Sequence, residues 1–257
     1  MHIEAISNGM GAPSMYLCVL AAEGKLDAKL SITADTGSEN DRVWDNGKRS
    51  SAKEYFSAII EPYCHENGIK AVFVRSQDKN GIPRPPIIDR LEEGIMVGVP
   101  LFGSNGGRLM QGCTDKWKVQ AIRQELRRKG AKTAESFIGL TMDEVHRMRP
   151  SNRKWHTHRY PLIEDERIYK STVYVELGKR NIPFLLSSEC DMCPHKNRAR
   201  WQRTSPEMIE KIARIEEGFG GTQFFTPQRI PLKEALKKWE GQTEMVLDSC
   251  DSGYCGV

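Results

Sequence analysis

The sequence lacks long apolar runs, a strong excess of either charge, and internal repeats. No uncharged apolar stretch approaches the roughly 20 residues that a membrane-spanning helix needs, so no membrane partner is expected. Residues 1–4 lack the basic start and apolar continuation of a secretory leader, which predicts a cytoplasmic location. The 38 basic and 34 acidic side chains leave a net charge of +4, too small to indicate a dedicated nucleic-acid binder.

The length creates no need for disulfides. A chain of 257 residues buries most of the surface that its unfolded form exposes. It nevertheless contains seven cysteines, an odd number that cannot pair completely, and cytoplasmic cysteines are rarely structural disulfides. Cys18 lies in an apolar helical stretch and Cys64 ends another, so we expect both to be packing residues. The other five are Cys113, Cys190, Cys193, Cys250 and Cys255.

Short apolar segments alternate with helical stretches along the chain. We predict strands at residues 3–6, 30–34, 71–74 and 136–140. We predict helices at residues 15–22, 51–67, 119–129 and 204–218. This alternation is typical of an α/β fold, an open and mostly parallel sheet flanked by helices, here with a helical C-terminal portion. Residues 76–112 are rich in Gly, Pro and Asn, which predicts a long irregular segment.

Two segments carry the Thr-x-x-Glu pattern of a helix capping box. Thr141 with Glu144 predicts one helix start, and Thr204 with Glu207 predicts the start of the helix that runs to Gly218. In such a box the threonine hydroxyl accepts from a backbone N–H of the first turn.

A glycine-rich loop joins the first predicted strand to the first helix: Ser7-Asn8-Gly9-Met10-Gly11-Ala12-Pro13-Ser14. Backbone N–H groups around Gly9 and Gly11, together with the helix N-terminus, favour an anion. The hydroxyls of Ser7 and Ser14 are able to donate to phosphate oxygens. The loop is neither a GxxxxGK[ST] P-loop nor a GxGxxG fingerprint, and a plain tight turn is the alternative.

A second polar turn follows the second predicted strand, with the sequence Asp35-Thr36-Gly37-Ser38-Glu39. Ligands of open α/β sheets sit at the carboxyl ends of strands. We therefore expect this turn and the loop at 7–14 to line one crevice, the alternative being an ordinary Asp-Thr-Gly turn.

Three cysteines have the surroundings of a reactive or metal-binding group. Cys113 stands near a helix start and Lys118, which lower a thiol pKa. Cys190-x-x-Cys193 places two thiolates on one turn, where they can share a metal or form a disulfide. Zinc or an iron–sulfur cluster needs about four ligands, so Cys113 is the expected third. The fourth is left open among His195, Cys250 and Cys255. An inert Cys113 and a metal-free CxxC are the alternatives.

The last ten residues, 248–257, form a small polar segment that carries Cys250 and Cys255. Two thiols on such a segment are able to reach an active site. Incidental thiols on a frayed chain end are the equally weighted alternative.

Taken together, these segments resemble the phosphoadenosine phosphosulfate (PAPS) reductase-like group of the PP-loop, or adenine nucleotide alpha-hydrolase-like, superfamily. The loop at 7–14 is similar to the group's pyrophosphate loop in the SxGxGxxS form of phage-type members, and residues 35–39 are similar to its DTG-x-E. Residues 113–118 resemble its C-T-x-x-x-K, residues 138–147 its I-G-[IL]-x-x-D-E-x-x-R, and residues 190–195 its C-x-x-C-P-[FH]. The ordered set covers residues 1 to about 217.

The resemblance implies a nucleotide-binding domain at 1–217 and a C-terminal extension with a cysteine-containing tail at 218–257. It implies an adenine nucleotide, ATP or PAPS, bound by Ser7, Gly9, Gly11, Ser14, Thr36, Gly37 and Glu39. Asp35 would hold Mg²⁺ or a ribose hydroxyl, and Lys118 and Arg147 would neutralise developing charge. Cys113, Cys190 and Cys193 would bind a [4Fe–4S] cluster or, alternatively, zinc. Cys255, or Cys250, would be the nucleophilic or resolving thiol.

Two departures from the family pattern bear on the reaction. Pro13 stands where many PP-loop ATP pyrophosphatases have an acidic residue, and proline cannot hold Mg²⁺. The reductases' arginine-rich motif is reduced here to Arg147, and a bisphosphorylated nucleotide needs several cations. Arg147, Arg149, Arg75 and Lys118 are the candidates to supply them, which leaves PAPS specificity open.

The leading hypothesis is therefore an adenine-nucleotide-dependent enzyme of sulfur chemistry. It either reduces an adenylyl sulfate through a cysteine, with a thiol reductant, or adenylates and then thiolates a substrate, with a sulfur donor. Arg123, Arg127, Arg128 and the run 198–203 leave a nucleic-acid partner open, although a solvated basic face is the favoured alternative. The hypothesis from another class is a non-catalytic nucleotide sensor or sequestering protein, which Pro13 favours. The oligomeric state stays open.

Overall fold

A computed structural model describes residues 1–240 of the chain. Its strands are β1 (His2–Asn8), β2 (Leu30–Asp35), β3 (Arg42–Val43), β4 (Arg49–Ser50), β5 (Lys70–Arg75), β6 (Phe102–Gly103), β7 (Thr133–Ile138), β8 (His156–Arg159) and β9 (Gln223–Phe224). Its helices are α1 (Ala12–Ala22), α2 (Ala52–Tyr55), α3 (Glu61–Glu66), α4 (Ile87–Glu92), α5 (Gln120–Arg128), α6 (Pro161–Glu164), α7 (Lys170–Lys179), α8 (Arg198–Gln202), α9 (Pro206–Gly218) and α10 (Leu232–Trp239). A π-helical turn at Phe56–Ile60 joins α2 to α3, and another at Thr114–Val119 leads into α5.

A five-stranded parallel sheet forms the centre of the fold, in the order β5-β2-β1-β7-β8. This confirms the predicted α/β fold with an open sheet flanked by helices. The chain builds the sheet outward from β1 through β2 to β5, and then returns to pair β7 with the other side of β1. The strand order therefore reverses between β1 and β7, where ligands of such sheets bind beyond the carboxyl ends of the strands.

The two faces of the sheet follow from the alternation of side chains along each strand. Ile6 and Phe137 pack under α1 and α7, and Ala5 and Ala134 pack under α5. Both faces are covered, so β2 is buried along almost its whole length, as is expected of a central parallel strand. Cys18 in α1 and Cys64 in α3 are fully buried in the same core, which confirms that they are packing residues.

A second core lies beside the sheet and involves α4, α8, α9 and α10. Trp201 and Phe225 are its largest fully buried aromatic side chains. The buried Glu216 connects its parts: one carboxylate oxygen accepts from the Phe225 N–H at 3.0 Å and the other from the Leu232 N–H at 2.6 Å. Residues 219–240 are thereby held against α9, and β9 pairs with β6 of the preceding loop.

Both predicted capping boxes are wrong. Residues Met142–Arg147 form a short 3₁₀ turn, and the Thr141 hydroxyl donates to the Asp143 carboxylate at 3.2 Å instead of capping a helix. Helix α9 is capped one residue later than expected, because Ser205 directly precedes Pro206 and accepts from the Met208 N–H at 3.4 Å.

Several elements were not expected from the sequence. The irregular segment at 76–112 contains α4 and the short strand β6, and α6, α7, α8, α10 and β8 were missed. Helix α4 has one turn and a half and β8 has four residues, too short for periodicity to stand out. Within residues 1–240, no helix is long and apolar enough to cross a membrane.

Candidate functional site

The glycine loop connects β1 to α1 at the point where the strand order reverses. Asn8 shapes the loop: its Oδ1 accepts from the Met10 N–H at 2.8 Å, and its Nδ2 donates to Ser31 Oγ at 3.1 Å. Met10 has a left-handed backbone with φ of 62°. Ser14 Oγ accepts from the Gly9 N–H at 3.2 Å, and this bond stabilises the loop. The O–H of Ser14 is not used in it and is able to donate to a bound ligand.

The end of β7 lies directly against the first turn of α1. A Cβ on Gly139 would lie 2.7 Å from the Ser14 nitrogen and 2.8 Å from the Pro13 carbonyl carbon. Side chains do not tolerate such distances, so only glycine permits this approach. The backbone after β7 and the N-terminus of α1 therefore form the two walls of a narrow crevice.

This crevice is an open cavity of about 180 Å³ at the carboxyl ends of the strands. That volume is far above the about 10–15 Å³ that one water requires. Most of the residues expected at a site line it: Ser7, Gly9, Gly11, Ser14, Thr36, Glu39, Cys113, Lys118, Arg147, Cys190 and Cys193. The loops that follow β1 and β2 thus meet the segments that carry the cysteines.

A buried group of charges forms one wall of the crevice. Glu39 Oε1 lies 3.0 Å from Lys118 Nζ and 3.0 Å from Arg42 Nη2. The residues are only 4% exposed for Glu39 and 2% for Arg42. Burial alone would raise the pKa of the Glu39 carboxyl, but Lys118 and Arg42 hold it below its ordinary value. Glu39 is therefore ionised at neutral pH.

Cys190 lies beside this charge group. Its Sγ is 3.7 Å from Glu39 Oε1 and 3.6 Å from Thr36 Oγ1. Burial and the Glu39 carboxylate raise the pKa of the Cys190 thiol, against the opposing effect of Lys118. Burial also raises the pKa of Cys113, and the neighbouring Cys193 adds to the rise. These thiols are protonated at neutral pH, and it takes an added positive charge to make thiolates of them.

The three expected metal-binding cysteines share the crevice without forming a tight trio. Within residues 1–240, no three His, Cys, Asp or Glu side chains lie close enough to hold a single metal ion. His195, one of the expected fourth ligands, also lines the crevice, and its Nδ1 accepts from Arg108 Nη2 at 2.9 Å. Burial, Arg108 and Arg147 lower the His195 pKa to about 4, so the imidazole is neutral.

Asp35 and Gly37 do not reach the crevice. The Asp35 carboxylate accepts from the Gly37 N–H at 2.7 Å and from Arg75 Nε at 3.0 Å, on the outer side of its turn. Gly37 has a φ of 65°, and a Cβ there would lie 2.7 Å from the Pro86 ring. These two residues shape the turn, whereas Thr36 and Glu39 face the cavity. Cys250 and Cys255 lie outside the described residues.

The sequence did not reveal a Ser–His–Arg contact that lines the crevice on the α5 side of the sheet. His156 Nδ1 accepts from Arg123 Nε at 3.3 Å, so the Nε2–H donates to Ser136 Oγ at 2.8 Å. Burial, His158 and Arg123 lower the His156 pKa to about 4. A neutral imidazole that donates to Ser136 cannot take its proton, so this pair orients a hydroxyl and does not create a nucleophile. Its members are 20 and 33 residues apart in sequence, and no local pattern marks them.

Comparison with models of known protein families gave no match, and comparison with curated proteins gave none either.

We expect Gly139→Ala to weaken the binding of inorganic pyrophosphate at least tenfold, because the added methyl group must displace the first turn of α1. Calorimetric titration would measure the loss. Gly178→Ala is the matched control, since no atom of residues 1–240 outside its own helix backbone lies within 4 Å of the corresponding Cβ, and α7 gains a better helix former. Equal pyrophosphate affinity in both variants would contradict the assignment of the loop as an anion site.

We expect Glu39→Gln to lower the free energy of unfolding by about 3–5 kcal/mol at pH 7, because Lys118 and Arg42 lose their shared carboxylate. A carboxyl with a lowered folded-state pKa stabilises the fold above its unfolded pKa, and this contribution disappears as pH falls through the folded pKa. The difference from the natural protein should therefore shrink below about pH 4.5. Urea titrations at several pH values measure it, with the exposed Glu217→Gln as control. A pH-independent difference would disprove the assigned charge state.

Proposed function

We propose that the protein binds an adenine nucleotide in the crevice and performs sulfur chemistry there. One observation carries the proposal: the glycine loop at the N-terminus of α1 shares a single cavity with three cysteines. An anion-binding loop alone would fit many nucleotide proteins. Three thiols facing the same space supply the soft, redox-active groups that sulfur transfer or sulfur reduction needs.

The phosphate end of the nucleotide is assigned to the first turn of α1. Its backbone N–H groups, the Ser14 hydroxyl and the positive end of the helix dipole all favour an anion. Arg147 lies across the crevice with its side chain 9% exposed and paired with Glu144. A cation already held by a carboxylate is fixed in place, so it stabilises developing negative charge without reorganising. Lys118 has the same arrangement with Glu39.

The resemblance of residues 1–217 to PAPS reductase-like proteins supports an adenine nucleotide over other anions. On the same ground we propose residues 218–257 as an extension whose Cys255, or Cys250, supplies the nucleophilic or resolving thiol. Ser7, Gly9 and Gly11 complete the nucleotide site on the side of β1.

The donor set of Cys113, Cys190 and Cys193 fits a [4Fe–4S] cluster better than a single zinc ion. Zinc draws its ligands to within about 2.3 Å, which would require a tight trio. A cluster is larger, its cysteines stand further apart, and it supplies redox chemistry or an open iron for sulfide. Its positive charge would offset the burial that raises the pKa of Cys113 and Cys190 and the Glu39 charge that raises the pKa of Cys190.

Mg²⁺ fits neither Asp35, which the resemblance assigns to it, nor the neighbouring acidic side chain of Glu39. The Asp35 carboxylate is bound to Arg75 and to its own turn, and Glu39 is enclosed by two cations. Pro13 contributes no oxygen side chain. We therefore draw no step through Mg²⁺.

Non-catalytic nucleotide binding is the second candidate, and two observations favour it. Pro13 removes the acidic residue of the loop, and the thiols of Cys113 and Cys190 have raised pKa values. A sensor or sequestering protein needs the crevice, but it needs neither an acidic residue in the loop nor reactive thiolates.

Turnover distinguishes the two candidates. Incubated anaerobically with a thiol donor, the protein should release sulfite and adenosine bisphosphate from PAPS, while the thiol is oxidised to a disulfide. Supplied with ATP, a sulfur donor and an acceptor, it should instead release pyrophosphate on adenylation of the acceptor and AMP when sulfur displaces it. Cys255→Ser should abolish the release of sulfite or of AMP and leave nucleotide affinity unchanged, because the tail thiol acts on a nucleotide or adenylated acceptor already bound. Chromatographic product analysis measures both. Tight binding without turnover would support the sensor, and full turnover by Cys255→Ser would remove the tail from the reaction.

Anaerobically purified protein should be brown, with a broad visible absorption band and bound iron and sulfide. Cys190→Ser should lose both, because it removes one of the assigned ligands. Cys64→Ser is the control, since Cys64 lies buried in the core under α1. Metal analysis together with the absorption spectrum tests the assignment. A colourless protein with stoichiometric zinc would replace the cluster with a single-ion site.

A further inference from the structure

A cluster of basic side chains runs from the mouth of the crevice along the edge of the sheet. We call it the basic face, and it consists of Arg123, Arg127, Lys132, Arg149, Arg153 and Lys154. It joins two parts of the chain that are distant in sequence, helix α5 with its following turn and the segment that precedes β8. The segment from His146 to Tyr160 contains five lysines and arginines and no Asp or Glu.

The charges of this face are largely uncompensated. Arg127, Lys132, Arg149, Arg153 and Lys154 form no ion pair with any part of the chain that the structure describes, and all five are exposed. Within residues 1–240, Asp115 is the one carboxylate that pairs with Arg123, at 4.0 Å. The nearby Glu125 is occupied by Arg128 and Lys129. Elsewhere on this protein surface arginines such as Arg180 are paired with carboxylates, so this face departs from the usual pattern.

The cations are held close together. Arg123 Nη2 donates to Asn152 Oδ1 at 2.7 Å and to Ser151 Oγ at 3.3 Å, which fixes its guanidinium beside Arg153. Burial and the positive charge of Arg153 lower the pKa of Arg123. Arg127 lies over the Trp155 ring at 3.7 Å and donates to the Ala131 carbonyl at 2.7 Å. Like charges fixed this close repel each other unless an anion lies between them.

The face is continuous with the crevice. Arg123 donates to His156, which lines the cavity, and Arg149 follows two residues after Arg147, which also lines it. The His158 ring contacts the Arg149 carbonyl at 3.3 Å. A chain of phosphates bound along the face would therefore lead into the space where the nucleotide and the cysteines are assigned.

We propose that the basic face binds the backbone of a nucleic-acid strand and presents it to the crevice. This deepens the proposed function and rests on it, since it makes a nucleic acid the second substrate and favours thiolation over sulfite release. A strand fits better than a membrane, because no exposed large apolar side chain of the described chain lies in α5 or in residues 149–155. Met1, whose carbonyl accepts from the Lys132 N–H, is a single exposed apolar side chain beside the face and not the apolar patch that would enter a membrane. The other basic run does not belong to this surface: Arg200 contacts the buried Glu189, and Arg198 lies over Trp239.

Fluorescence anisotropy with a labelled single-stranded oligonucleotide tests the proposal on the full chain. Arg153→Glu with Lys154→Glu should weaken binding by about tenfold or more at a salt concentration of about 0.1 M. Each phosphate contact on a single strand contributes about −0.7 to the slope of log K against log salt, so losing two should reduce the slope by about 1.4. Lys53→Glu with Lys70→Glu is the matched control, with the same charge change on exposed lysines away from the basic face.

The outcomes separate this proposal from the nucleotide site. The Arg153/Lys154 variant should keep its nucleotide affinity, and Gly139→Ala should keep its oligonucleotide affinity. Equal losses in both charge-reversal variants would overturn the proposal, because the effect would then reflect net charge alone. Stronger binding to phosphatidylglycerol vesicles than to the oligonucleotide, lost in the same variant, would assign the face to a membrane instead. Failure of nucleotide binding with intact oligonucleotide binding would count against the proposed function only.

Discussion

The close approach of β7 to the N-terminus of α1 is the constraint on which the rest of the site depends. Parallel strands on either side of β1 send their connections in opposite directions, and this leaves a gap where the two paths part. Gly139 lets the backbone after β7 lie against Pro13 and Ser14 without a side chain between them. Asn8 and Ser14 fix the loop on the other side. This end of the crevice is built from backbone, so its shape depends little on side-chain rotamers.

The buried charges of Glu39, Lys118 and Arg42 join segments that are far apart in sequence. Glu39 and Arg42 follow β2, whereas Lys118 lies in the π-helical turn before α5. Arg42 also donates to the Glu189 carbonyl on the turn that carries Cys190. Each ion would cost several kcal/mol to bury alone, so the three stabilise the fold only when all the segments are in place. These three charges therefore link the turn that carries Cys190 to the residues that follow β2 in the sheet.

Local patterns predicted much of this fold and about half of the detail of its site. The central strands and the helices at 12–22, 52–66, 120–128 and 206–218 follow from apolar periodicity and stop signals, which are properties of short segments. The roles of individual polar residues were less predictable. Asp35 and Glu39 are both acidic and four residues apart, yet one is bound to Arg75 outside the cavity and the other lines it. Their partners lie on other strands and turns, and no window of sequence contains them.

The same reasoning applies to the cysteines. The lowered pKa expected for Cys113 is wrong, because the sequence shows the neighbouring Lys118 but not the depth of burial, and burial raises the pKa of this thiol. At Cys190, burial and the Glu39 carboxylate likewise outweigh Lys118, and the thiol is protonated. A site of this kind favours whichever ligand brings positive charge to it, since a cation converts each buried thiol into a stabilised thiolate. The buried Glu39 carboxylate also favours a bound cation. Its negative charge disfavours a thiolate that stands alone, but it attracts the cation that the thiolates would share.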